Sequence, residues 1–73
     1  MFTGDDFRTL RKIKGFKQED VARRVGIRQQ RYSVLENSTT ISKEKQRLIL
    51  AALKFSSEEA RKILDLITIR SPE

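Results

Sequence analysis

The side chains able to do chemistry are unevenly spread along the chain. Residues 7–31 hold Arg8, Arg11, Lys12, Lys14, Lys17, Arg23, Arg24, Arg28 and Arg31, nine cations against Glu19 and Asp20 alone, a balance of +7. Residues 32–73 carry seven basic and six acidic side chains, and the first six residues carry only Asp5 and Asp6, so the net charge of +6 belongs to one end of the chain. Such a surface attracts phosphates or other polyanions. The plain alternative is a solvated, solubilising face. Other chemistries are poorly provided for. There is no Cys and no His, which removes disulfides, thiolate ligands and the commonest general base and metal ligand. Carboxylates and Lys remain for proton transfer, but no paired arrangement is visible, so no enzyme, cofactor or small-molecule ligand is expected.

Elements must position these residues, and 73 residues allow one domain with a small core. No apolar run approaches the roughly 18 residues of a membrane span, and the first six residues lack the basic and apolar regions of a signal peptide. A soluble protein of a reducing compartment is expected. Strand signals are absent, whereas helix punctuation is plentiful. Thr3 and Asp6 can form a capping pair before helix 1, whose Phe7, Leu10 and Lys14 share a face and whose stop is Gly15. Helix 2 opens at Gln18, repeats Val21, Ala22 and Val25 at helical spacing, and ends at Gly26. Helix 3 spans about residues 28–36 and closes at the loop-forming run Asn37, Ser38, Thr39, Thr40. On a wheel Tyr32 and Leu35 fall to one side, and Gln29, Gln30, Ser33 and Val34 to the other, a polar face carrying one Val. Helix 4 starts near Ser42 and is expected to bury Leu48, Ile49, Ala52 and Leu53. Ser56 and Glu59 stand at capping-box spacing for helix 5, with Ala60, Ile63, Leu64 and Ile67 as its inward stripe. The expected organisation is one domain over residues 1–70 and a frayed tail over 71–73.

Residues 18–36, QEDVARRVGIRQQRYSVLE, resemble the helix-turn-helix of the Cro and lambdoid-repressor (XRE-type) family, and the resemblance extends from about Phe7 to Phe55. Ala22 is small where two helices cross, Gly26 makes the turn, Ile27 anchors it, and Tyr32 and Leu35 hold helix 3 inward. The resemblance implies an all-α, lambda-repressor-like bundle of five short helices with the helix-turn-helix at helices 2 and 3. It implies a double-stranded DNA partner, a homodimer on a pseudo-palindromic operator, and a cytoplasmic, nucleoid-associated setting in a bacterium or phage. By position, Arg28, Gln29, Gln30, Ser33 and Val34 become the candidates for base contact, and Lys17, Gln18, Arg24 and Arg31 the candidates for the DNA backbone. The chemistry suits these roles, since Gln can bond adenine N6 and N7 together and Val can meet a thymine methyl; the alternative is a merely solvated face. Arg11 and Glu36 match a pair that joins helix 1 to the end of helix 3, a structural role.

The sequence departs from the family pattern in three places. Lys17 and Arg28 stand where Ser or Thr caps are usual, placing positive charge at the unfavourable end of each helix dipole. Contact with phosphate would offset some of that loss. Tyr32 replaces the usual Ile or Val; either its ring packs while its hydroxyl reaches solvent or a phosphate, or the helix sits at a shifted angle. Leu66 and Ile69 lie off the inward stripe of helix 5 and are candidates for a symmetric dimer contact, or incidental surface residues. Repression by occupying a promoter is the expected mode. Activation would need a touch point such as Asp5 and Asp6 or Glu19 and Asp20, residues that already suit first helical turns. A protein-interaction module, such as an antitoxin or a repressor antagonist, is the competing reading.

Overall fold

Five helices follow from five stretches of capped, amphipathic sequence: α1 (Gly4–Lys14), α2 (Gln18–Val25), α3 (Gln29–Glu36), α4 (Lys43–Leu53) and α5 (Ser57–Arg70). The computed structural model describes the backbone of residues 1–70 and the side chains through Ile67. The expected tail at 71–73 and the side chain of Ile69 lie outside the described residues. All described regular structure is helical.

The ends of the helices have identifiable causes. Thr3 Oγ1 accepts from the Asp6 N–H at 3.2 Å while Asp6 Oδ2 accepts from the Thr3 N–H at 2.9 Å, a reciprocal box opening α1. Gly15 (φ 76°) and Gly26 (φ 89°) close α1 and α2 in the left-handed conformation, which glycine adopts without a Cβ clash. Ser42 caps α4 through Lys45, and Ser56 and Glu59 exchange side-chain-to-backbone bonds of 3.0 Å ahead of α5. Lys54 ends α4 at φ 62° without the help of glycine.

The core gathers Phe7 and Leu10 of α1, Val21 and Ala22 of α2, Tyr32 of α3, Ile49, Leu50 and Leu53 of α4, and Ala60 and Leu64 of α5. Helices 2 and 3 alone are too short to hold their shape; they are stabilised by packing on each other and on α1 and α4. Phe2 and Ile41, outside any helix, are also buried. The Phe2 N–H donates to Gln46 Oε1 at 3.0 Å, and Gln46 Nε2 donates to the Ile41 carbonyl at 2.7 Å, so one buried amide ties both non-helical segments to α4.

That amide accounts for a correction. Leu48, expected inside, is 41% exposed, while Gln46 and Leu50 are buried. Drawing Gln46 inward rotates the buried stripe of α4 away from Leu48. Ile67, expected on the inward stripe of α5, is also 41% exposed, whereas Ala60 and Leu64 are buried and Ile63 packs against the core.

Candidate nucleic-acid interface

Helix α3 is held from behind. Tyr32 and Glu36, four residues apart, share its inward face and are both buried. A buried carboxylate requires partners, and Glu36 has them from two helices. Arg11 of α1 donates from Nε to Oε2 at 2.6 Å and from Nη2 to Oε1 at 3.2 Å, a two-point contact of planar groups. Gln18, the first residue of α2, donates from Nε2 to Oε1 at 2.9 Å. Arg8 adds its charge, with Nε 3.5 Å from Oε1. Burial alone would raise the Glu36 pKa, but the hydrogen bonds from Arg11 and Gln18 and the nearby cation outweigh it, holding the carboxyl below its ordinary range. The same pairing pushes Arg11 up, against the opposing effect of its burial.

The network continues outward. Arg11 Nη1 donates to the Phe16 carbonyl at 2.9 Å, linking the α1–α2 turn to the same guanidinium. Arg8 Nη2 donates to the Glu36 carbonyl at 3.3 Å and to Asn37 Oδ1 at 2.8 Å, satisfying the end of α3 where a cation is favourable. Asn37 and Ser38 side chains return to the Ser33 and Val34 carbonyls. Gly4 completes the seat: its N–H donates to the Ser38 carbonyl at 2.9 Å, and a Cβ there would overlap the Leu35 carbonyl oxygen. Both ends of α1 therefore fix the angle of α3.

The Tyr32 ring packs in the core, but its hydroxyl does not reach outward as the first of the two expectations for this residue had it. It reaches neither solvent nor the surface: the residue is fully buried, and its oxygen has no hydrogen-bond partner of good geometry. It lies close enough to Glu36 and Arg11 to feel both charges, and burial, reinforced by Glu36, pushes the phenol far above its ordinary pKa.

Opposite this seat the outer face of α3 is open. Gln29, Gln30, Arg31 and Val34 are exposed and Ser33 is half-buried. Two shallow depressions divide that face. Gln18, Gln29, Gln30 and Ser33 line one; Ile27, Arg28, Gln30, Arg31, Val34 and Leu35 line the other. Gln30 stands on the ridge between them. Arg28 precedes α3 with no side-chain cap, and α3 has no acidic residue in its first turn, so the helix itself supplies nothing to offset its positive dipole end. Lys17 likewise offers no side-chain cap to α2, although Asp20 Oδ2 accepts from the Lys17 N–H at 2.9 Å.

The remaining candidates sit differently. Gln18 borders the polar depression while one amide hydrogen is committed to Glu36. Arg24 is exposed yet engaged with its own fold: Nη1 donates to the Ala52 carbonyl at 3.1 Å, near the end of α4, and its guanidinium lies 4.4 Å from the centre of the Phe16 ring. Leu66 is 59% exposed on α5. The roles of Arg8, Gly4 and Gln46 were not read from the sequence; only Gly4, a glycine at a helix start, carried a local signal of close approach. Among the described residues no cluster of acids could hold a metal, and no helix is long and apolar enough to cross a membrane.

A family model described as helix-turn-helix matches residues 7–65, most of the chain and all of α1 to α4 from Phe7 onward. Neither the curated proteins nor the solved structures return a match.

Proposed function

The chain belongs to the XRE-type helix-turn-helix family, a family of DNA-binding domains and not of enzymes, and we propose that it represses transcription by laying α3 in the major groove of an operator. The observation that carries this reading is the asymmetry of α3: a buried ion-pair network fixes one face, and the other presents Gln29, Gln30, Ser33 and Val34 without an internal task. A base-reading helix needs both properties, since hydrogen bonds to base edges discriminate only when their donors are held in place.

In this reading Arg28, Gln29, Gln30, Ser33 and Val34 meet base edges. Lys17, Gln18 and Arg31 meet phosphates, which position the protein without carrying sequence information. Arg24 contributes long-range charge, while its guanidinium also supports the α2–α4 contact. The basic balance of residues 7–31 adds a sequence-independent attraction. Repression follows without a further domain, because occupancy alone blocks a promoter.

Leu66, exposed beside Ile67 on α5, supplies the apolar contact of a symmetric dimer. Two copies would address half-sites about 34 Å apart on one face of the duplex, and the operator would be pseudo-palindromic. Selection of bound duplexes from a random-sequence library tests the reading. A recurring motif with two-fold symmetry is expected; recovery of unrelated sequences would defeat it.

A further inference from the structure

We infer that the apolar depression beside α3 docks an acidic amphipathic helix of a partner protein, which displaces DNA from the reading face. The displacement rests on the DNA-reading role of α3; the docking rests on the chemistry of the depression alone.

The larger of the two depressions on α3 is lined by Ile27, Arg28, Gln30, Arg31, Val34 and Leu35. Arg31, Val34 and Leu35 stand three and four residues apart and share one flank of the helix; Ile27 and Arg28, in the turn before it, extend that flank. Val34 is 64% exposed there, while Ile27 and Leu35 are half-buried against the core. Arg28 and Arg31 are exposed, and among the described residues neither side chain makes a hydrogen bond or an ion pair. The flank offers aliphatic side chains beside two cations, with no acid among its lining residues. Base edges carry a single apolar substituent, the thymine methyl, so DNA leaves most of that aliphatic surface uncovered. A protein segment bearing both apolar side chains and carboxylates matches the whole flank. Arginine suits such a contact, since its planar guanidinium binds a carboxylate at two points.

Length sets the form of the partner. From Arg28 to Leu35 the flank runs about 10 Å at ~1.5 Å per residue, or about two helical turns. An amphipathic helix seated in a groove places its anchors at i, i+3, i+4 and i+7 over the same distance. Carboxylates at the edges of its apolar stripe reach Arg28 and Arg31, and the balance of +7 over residues 7–31 steers an acidic partner toward them. The second depression, lined by Gln18, Gln29, Gln30 and Ser33, has neither a charged nor an apolar residue, so this docking chemistry is confined to the Val34 side. Gln30 borders both depressions. A helix seated beside it fills space that the bases need, so partner and duplex exclude each other.

The probe is a displayed library of short helical peptides, with apolar residues held at i, i+3, i+4 and i+7 and the flanking positions randomised, selected on the full chain. Enrichment of Asp and Glu at the flanking positions is expected. A selected peptide should bind about tenfold more tightly than its scrambled isomer of equal charge. Val34→Ser and Arg31→Ala, checked for helix content by circular dichroism, should each weaken that peptide by about tenfold, as truncation does at the centre of an interface. The peptide should also release a labelled random-sequence duplex from the parent. Failure to enrich acidic peptides overturns the inference and leaves the depression to DNA. A selected peptide that ignores both substitutions, or binds no better than its scrambled isomer, overturns it too, since it then sits elsewhere or is held by net charge alone. If sedimentation shows the parent self-associating and Val34→Ser not, the depression belongs to a second copy and the inference fails. A duplex that stays bound beside the seated peptide overturns the displacement. A parent that holds such peptides through Val34 and Arg31 but binds no duplex keeps the docking and removes the DNA-reading role of α3.

Discussion

Arg11 and Glu36 meet through two hydrogen bonds of 2.6 and 3.2 Å between the last turn of α1 and the last residue of α3. Neither faces the open side of α3, yet the pair and its neighbours set how that side is presented. The Glu36 side chain is fully buried and that of Arg11 nearly so, so the geometry is shielded from the solvent competition that weakens surface pairs. A two-point contact between planar groups also resists rotation about a single bond, as required of a support for a helix only eight residues long.

Glu36→Gln should therefore destabilise the fold by about 3 kcal/mol, because it leaves the Arg11 cation buried without its counter-charge. Urea unfolding of both proteins measures this. The pH dependence has a defined sign. A carboxyl held below its ordinary pKa contributes stability above the unfolded value of 4.5, and that stability is lost as pH falls through the folded value. The parent should lose stability on acidification below about that point, and Glu36→Gln should lose less; equal acid sensitivity would remove Glu36 as a cause.

Tyr32→Phe removes a buried hydroxyl that has no well-formed partner. An unsatisfied hydroxyl is costly, and deleting it while keeping the ring should raise stability by about 1 kcal/mol. The phenol's raised pKa predicts a second effect: the stability linked to its proton is present below the unfolded value of 10.0 and declines as pH rises beyond it. Thermal melts at pH 7 and pH 11 should show the variant gaining more at the higher pH. A loss of stability at pH 7 would mean that the hydroxyl donates to Glu36 in solution.

Gly4→Ala introduces a Cβ that overlaps the Leu35 carbonyl oxygen and lies 2.6 Å from backbone atoms of Glu36. Backbone cannot yield as a flexible side chain can, so α1 and the end of α3 must separate, at a cost of about 2 kcal/mol. Chemical denaturation checks the magnitude. Because the seat of α3 shifts, specific DNA affinity should also fall among molecules that remain folded.

Leu66→Glu places a charge on the exposed apolar patch of α5 without touching the core. Sedimentation should show a weaker self-association than the parent and a shift of operator binding to higher protein concentration. An unchanged association state would remove Leu66 from any subunit contact.

Five helices and their order were legible in the sequence because Thr3, Gly15, Gly26, Ser42 and Ser56 mark their ends by local chemistry that operates without knowledge of the fold. Most of the exposed face of α3 was legible as well: Gln29, Gln30 and Val34 are exposed, and only Ser33 is half-buried. What escaped depends on contacts between distant segments. Gln46 looks like a surface residue until Phe2 and Ile41 are brought to it, and its burial is what turns Leu48 outward. Gln18 could be placed at the start of α2 but not on Glu36, eighteen positions away. Arg24, one of several cations in a basic run, differs from them only because the end of α4 and the Phe16 ring lie beside it.

The central claim is that α3 reads bases while the surrounding cations hold phosphates, and the most direct measurement compares operator and random DNA for variants of each kind. Gln30→Ala and Gln29→Ala should each narrow the gap between operator and random DNA by about 1–3 kcal/mol, with little change in non-specific binding. Lys17→Ala and Arg31→Ala should weaken binding to both DNAs together and reduce the dependence of log K on log salt. If neither Gln substitution changes the ranking of DNA sequences while operator binding persists, α3 is not the reading helix and the account fails.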